Sequence, residues 1–186
     1  SGFITIMGNP NVGKSTLMNS LMGLDLSIIT HKAQTTRHRI LGIVSGDNYQ
    51  MVLSDTPGII KPAYEMQNSM MNFVKEALDD ADVLIYMVSI GETKIKDEML
   101  LKKIQNSKIP VIVLINKIDI SNQDEVTAFL KHWEKLIPNS SIYSISALTG
   151  FFIPELIDIL KSHLPEGPEY FPKDQITDKP ERFFVN

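Results

Sequence analysis

The 186-residue sequence contains no cysteine, which excludes disulfides, thiolate metal sites and cysteine nucleophiles. It holds one tryptophan, Trp133, and four histidines. Those histidines, His31, His38, His132 and His163, have no zinc-ligand spacing. No apolar run reaches the roughly 20 residues that span a bilayer, and no signal peptide opens the chain. An excess of positive charge is also missing. The formal net charge of −4 argues against a chain that coats nucleic acid by charge alone, while local basic patches stay open. Together these absences predict a cytoplasmic location. The initiator methionine is missing too, and the chain closes on the apolar run "ERFFVN", so it reads as a fragment of a longer protein.

What is present is a 43% hydrophobic content, enough for one domain with a sizeable core. Apolar runs of strand length ("FITIM", "RILGIVS", "YQMVLS", "VLIYMVS", "VIVLI", "SIYSI") alternate with helical segments starting near Lys14, Met66, Asp97, Asn122 and Pro154. Strand alternating with helix predicts an α/β fold, a mostly parallel sheet with helices on both faces. "RILGIVS" and "YQMVLS" are separated only by Gly46-Asp47-Asn48, which is hairpin chemistry. The expectation is therefore six strands, with "RILGIVS" as an antiparallel edge. Four prolines and little periodicity follow Leu164. This divides the chain into a domain over 1–164 and a linker over 165–186.

The strongest chemical signal is Gly8-Asn9-Pro10-Asn11-Val12-Gly13-Lys14-Ser15, a G-x-x-x-x-G-K-[ST] loop between a strand and a helix. Glycines let the backbone fold tightly so that successive N–H groups face phosphate oxygens, and the helix N-terminus adds partial positive charge. Lys14 would reach the outer phosphates and the Ser15 hydroxyl would ligate Mg²⁺. Asp55-Thr56-Pro57-Gly58 closes "YQMVLS". Asp55 suits a water-mediated Mg²⁺ contact, and the Gly58 N–H suits a γ-phosphate. The polar segment "DLSIITHKAQTTRHR" is expected over the phosphates, with Thr36 completing the Mg²⁺ shell and Thr35 as its alternate. Met66, Met70 and Met71, on the helix expected next, read mainly as core filling.

A base pocket is expected at Asn116-Lys117-Ile118-Asp119, which ends a buried strand. The Asp119 carboxylate would accept from the ring N–H and exocyclic amine of guanine. Adenine offers neither pairing, and a site built around such a polar pair rejects the wrong base by about 10⁴-fold. The Lys117 stem would lie over the base plane, and Asn116 would tie this loop to the phosphate loop. "SIYSISALTG" ends its strand at Ser146-Ala147, where a small residue admits a backbone N–H to the guanine carbonyl; Leu148 completes this set.

Taken together, "GNPNVGKST", "QTTR", "DTPG", "NKID" and "SAL" resemble the motifs of a translation-factor-related GTPase, and "HKAQTTRHRILGI" and "EYFPKDQITDKPERFFVN" resemble the Era-type GTPases. The resemblance implies a Ras-like P-loop GTPase domain and slow hydrolysis of GTP to GDP. It also implies a role in assembly of the small (30S) ribosomal subunit. Small-subunit ribosomal RNA would be bound by a KH domain lying outside these 186 residues, with peripheral membrane association in the family; the oligomeric state stays open, a monomer being favoured. It assigns phosphate contacts to Gly8, Asn9, Asn11, Val12, Gly13, Lys14, Ser15, Thr16 and Gly58, and Mg²⁺ to Ser15, Thr36 and Asp55. Guanine falls to Asn116, Lys117, Asp119, Ser146, Ala147 and Leu148, and catalysis to Lys14, Thr36 and Gly58. The family usually has arginine where Asn9 stands. Signalling GTPases place a water-orienting glutamine where Ile59 stands, so the hydrolytic water must be held otherwise, and the charge that develops on transfer needs a positive partner. Asn11 as a K⁺ ligand is the favoured candidate, as in potassium-stimulated relatives, and Arg37 is the rival. The alternatives are a GTP-dependent binding module with incidental hydrolysis, another assembly GTPase with one such domain, and an ATP-dependent kinase, against which Asp119 argues.

Overall fold

The computed structural model describes residues 1–22, 27–29, 39–46, 48–55, 75 and 78–168. Strands β5 (Val83–Ser89) and β6 (Val111–Asn116) are apolar or aromatic up to their last residue, a pattern that needs cover on both faces. They receive it. Val83, Ile85 and Met87 of β5, with Ile112 and Leu114 of β6, join a core under helices α1 (Lys14–Met22) and α4 (Ile153–His163). The alternate residues Leu84, Tyr86 and Val88, with Val111, Val113 and Ile115, pack under α2 (Glu98–Gln105) and α3 (Gln123–Leu136). The period-2 alternation of strand side chains thus divides one hydrophobic run between two cores.

The sheet also contains β1 (Gly2–Gly8), β2 (Ser27–Ile29), β3 (Arg39–Ser45), β4 (Gln50–Asp55) and β7 (Ser140–Ser144). Its order is β2-β3-β4-β1-β5-β6-β7. Strands β4, β1, β5, β6 and β7 are parallel. Strand β3 runs antiparallel to β4, closed by a Gly46 N–H to Tyr49 carbonyl bond of 3.0 Å. All six expected strands are present in the expected sense. One correction concerns the edge. Ser27–Ile29 pairs antiparallel with β3, so β3 is the second strand of seven. Three residues inside a polar segment are too short a run for periodicity to reveal.

Helix starts follow capping chemistry. Asp97 accepts from the Met99 and Leu100 N–H groups at 2.9 and 3.2 Å, and Asn122 accepts from Glu125 at 2.9 Å. Helix α1 has no carboxylate in its first turn, which leaves the positive field of its N-terminus to a ligand. The helix expected from Met66 lies mostly outside the described residues; Lys75 and residues 78–80 are helical. The linker expected over 165–186 is described only to residue 168. Among the described residues, no helix is long and apolar enough to cross a membrane.

Leu114 is fully buried in β6, between β5 and β7. Leu114→Ala is expected to lower stability by about 2–5 kcal/mol, through lost transfer energy plus a cavity. Urea unfolding followed by circular dichroism measures it.

Candidate functional site

The parallel strands deliver Gly8, Asp55, Ser89, Asn116 and Ser144 to one edge of the sheet. Strand β1 lies between β4 and β5, so connections diverge to opposite sides there, and open α/β sheets bind ligands in that crevice. The loop after β1 turns into α1 within it. Asn11 has φ +68° and Gly13 φ +106°. The Gly13 carbonyl accepts from the Leu17 N–H at 2.9 Å, starting the helix.

Gly13 is required by angle, and both Gly8 and Gly13 are required by contact. A Cβ on Gly8 would stand 2.6 Å from the Met87 carbonyl, and one on Gly13 only 2.2 Å from Asn116 Nδ2. Asn116 is the reason for the second. Its side chain is 2% exposed, and its Nδ2 donates to the Val12 carbonyl at 2.8 Å. Its Oδ1 accepts the Ala147 N–H at 3.0 Å. One buried amide thus joins the phosphate loop, the end of β6 and the loop after β7. Lys117, with φ +67°, follows at the start of the 3₁₀ turn Ile118–Ile120. Its ammonium donates to the Asn11 carbonyl at 2.7 Å, so its stem crosses from β6 to the phosphate loop.

Asp119 is exposed, and its Oδ1 accepts the Ser146 hydroxyl proton at 2.8 Å. Ser146 Oγ in turn accepts the Thr149 N–H at 3.2 Å. This fixes one oxygen of the carboxylate. Ser146 and Ala147 are buried, while Leu148 is 76% exposed. Lys14 Nζ makes a long 3.4 Å contact to the Gly8 carbonyl. Ser15 is exposed and Thr16 half-buried on the first turn of α1. The exposed Ser15 hydroxyl is a hard oxygen donor of the type Mg²⁺ takes. The Asp55 backbone sits at the edge of the crevice, paired with Ile6 and Arg39. Thr35, Thr36, Arg37, Gly58, Ile59 and the methionines at 66, 70 and 71 lie outside the described residues, as does the Asp55 side chain.

Sequence reasoning missed Glu92. Its Oε2 accepts from Asn9 Nδ2 of the phosphate loop at 3.0 Å, and its Oε1 accepts from Ser89 Oγ at 2.8 Å. Only the adjacency of β1 and β5 could have signalled it. A separate cavity of about 400 Å³ lies near the starts of β5 and β6, away from this crevice, and Lys75, Lys102, Lys103 and Lys108 line it with Asp79.

Residues 3–117 match the family described as 50S ribosome-binding GTPase. The whole chain is 43% identical to GTPase Era of Clostridium botulinum (strain Alaska E43 / Type E3) and spans 63% of that protein's length. It is similar to a crystal structure of an Aquifex aeolicus Era variant bound to GDP·AlF4⁻, with TM-score 0.73 and 40% identity over 99% of this chain and 64% of that one. It is also similar to Era in complex with MgGDPNP and nucleotides 1506–1542 of 16S ribosomal RNA. That likeness has TM-score 0.72 and 40% identity over 93% of this chain and 60% of the other.

Asn116→Ala would leave the buried Val12 carbonyl and Ala147 N–H without partners. It is expected to cost about 1–3 kcal/mol of stability. Hydrogen exchange at Ala147 should accelerate while exchange in β1 holds, which mass spectrometry of both proteins checks.

Proposed function

The chain belongs to the 50S ribosome-binding GTPase family, with Era proteins among its relatives, and from that premise we propose that it binds GTP and GDP and hydrolyses GTP as a switch. The single observation that carries this reading is the Asn116 amide, which holds a phosphate loop and a guanine-type carboxylate loop in one crevice. In the proposed complex, N–H groups of the loop from Gly8 to Thr16 bind the phosphates, and Lys14 moves from the Gly8 carbonyl to the outer phosphates. Asp119, aimed by Ser146, accepts from guanine, and the Ala147 region meets the guanine carbonyl. Ser15, Asp55 and Thr36 would hold Mg²⁺, which neutralises charge on the phosphate oxygens when bound. A relative carrying MgGDPNP supports the use of the ion with the nucleotide. The Gly58 N–H would meet the γ-phosphate.

The place of hydrolysis in ribosome assembly, with small-subunit ribosomal RNA as partner, is proposed from the same relative. The lysines that line the separate cavity support local contact with RNA phosphates. The net charge of −4 argues that these residues alone bind RNA weakly, most RNA affinity belonging to a KH domain elsewhere in the protein.

Guanine choice is tested by nucleotide titration. GTP and GDP should bind, and ATP should bind at least about 10³-fold more weakly. Asp119→Asn should lose guanine affinity and gain xanthosine diphosphate affinity, because the new amide donates to the extra carbonyl. Equal ATP and GTP affinities in the unaltered chain would overturn the reading.

We propose further that K⁺ accelerates turnover through the Asn11 amide oxygen, supplying positive charge beside the transferred phosphoryl group. The left-handed Asn11 backbone makes Asn11→Gly the cleaner probe, since glycine keeps φ +68° and removes only the amide. Hydrolysis should be faster in KCl than in NaCl at equal ionic strength, and Asn11→Gly should abolish the difference. Salt-independent turnover that collapses in Arg37→Ala would assign the role to the arginine.

A further inference from the structure

Asn9 is the second residue of the phosphate loop and stands half-buried beside the turn that follows β5. In that turn Gly91 takes φ +102°, and the Glu92 N–H returns to the Ser89 carbonyl at 3.0 Å. The Glu92 side chain is consequently folded over its own strand end. One carboxylate oxygen takes the Ser89 hydroxyl at 2.8 Å, with the Ser89 N–H at 3.4 Å, and the other takes the Asn9 amide at 3.0 Å. The Glu92 backbone carbonyl accepts the Trp133 indole N–H at 3.1 Å. His132 contacts the next carbonyl, that of Thr93. Trp133 is fully buried on α3, with its ring 6.1 Å from that of Tyr86. Burial, and secondarily the Glu92 charge, hold the Tyr86 phenol protonated well above its ordinary range.

We infer that Glu92 is a positioning residue for the phosphate loop, joining Asn9 through its carboxylate to the buried Trp133 through its carbonyl. This rests on the nucleotide reading above. Two groups of one residue act in opposite directions: the side chain fixes the loop that meets phosphate, and the main chain fixes the turn to α3. Holding Asn9 before the ligand arrives lowers the ordering cost of binding. Because β1 and β5 are adjacent and Gly8 pairs with Met87, the two loops have little freedom to separate once this bond forms. Any movement of the turn when nucleotide seats is felt at Trp133, and that residue is the sole tryptophan of the chain.

The test uses the 186-residue chain, GDP titration and tryptophan emission. Glu92→Ala and Asn9→Ala should each weaken GDP binding by about tenfold, the lower end of the scale of one hydrogen bond to a charged group. The double variant should be no weaker than either single one, because both remove the same bond. Glu92→Gln should restore affinity, since its amide oxygen still accepts from Asn9 while the Ser89 hydroxyl turns to accept. GDP should change Trp133 emission in the unaltered chain and in Glu92→Gln, and not in Glu92→Ala or Asn9→Ala. Losses that multiply in the double variant overturn the inference, as does an unchanged affinity in Asn9→Ala. Tighter GDP binding by Glu92→Ala also overturns it, by making the carboxylate a repulsive charge. Failure of the unaltered chain to bind GDP sinks the nucleotide reading instead, so the two failures are separable.

Discussion

The site depends on one side-chain amide with no exposed surface to spare. Asn116 gives its donor to Val12 and its acceptor to Ala147, so the strand order β1-β5-β6-β7 is spanned at its working edge by two hydrogen bonds. Inside the protein such an amide is costly unless both ends are used, and here both are. The same bond explains a residue far away in sequence. A side chain at position 13 would collide with the Asn116 nitrogen, so the second glycine of the phosphate loop and the asparagine of the base loop express one packing constraint. The loop after β1, the end of β6 and the loop after β7 are therefore held as one arrangement.

The phosphate loop is held from one side, and the bonds described fall on particular atoms. Lys117 takes the Asn11 carbonyl, Asn116 takes the Val12 carbonyl, and Lys14 contacts the Gly8 carbonyl. Glu92 takes the Asn9 side chain. Protein donors thus occupy loop oxygens. That division suits an anion site, in which loop N–H groups are the binding chemistry. It also gives Lys117 a role beyond the one expected for it. Its stem was expected to cover the base; what the structure shows is its ammonium fastening the loop.

The sheet was legible because its central strands are buried on both faces, so hydrophobic runs of strand length stand out between capped helices. Helix starts at Asp97 and Asn122 were readable because capping is a local matter of one side chain and two or three N–H groups. The edge strand Ser27–Ile29 was not readable, since what makes it a strand is the neighbouring β3 and not its own three residues. The motifs placed Gly8, Gly13, Asn116 and Ala147 at one edge because their spacing reflects backbone geometry. Glu92 carried no such mark. A carboxylate in a turn is ordinarily solvated, and its use appears only when the sheet sets β5 beside β1.

Backbone strain follows the same map. Asn11, Lys117 and Phe152 are the non-glycine residues with positive φ among those described, and all three lie in loops at the C-terminal edge of the sheet. A left-handed residue with a Cβ costs about 1–2 kcal/mol, least for asparagine. Asn11 is thus the cheap member of the pair that meets across the crevice, and Lys117 the expensive one. The bond from Lys117 Nζ to the Asn11 carbonyl joins these two strained residues directly. Each left-handed turn aims its loop at the other, and the bond between them offsets part of the strain. Such strain persists only where the surroundings over-determine it. Here the surroundings are Asn116 and its two hydrogen bonds, so the residue that unites the loops also keeps their unfavourable angles in place.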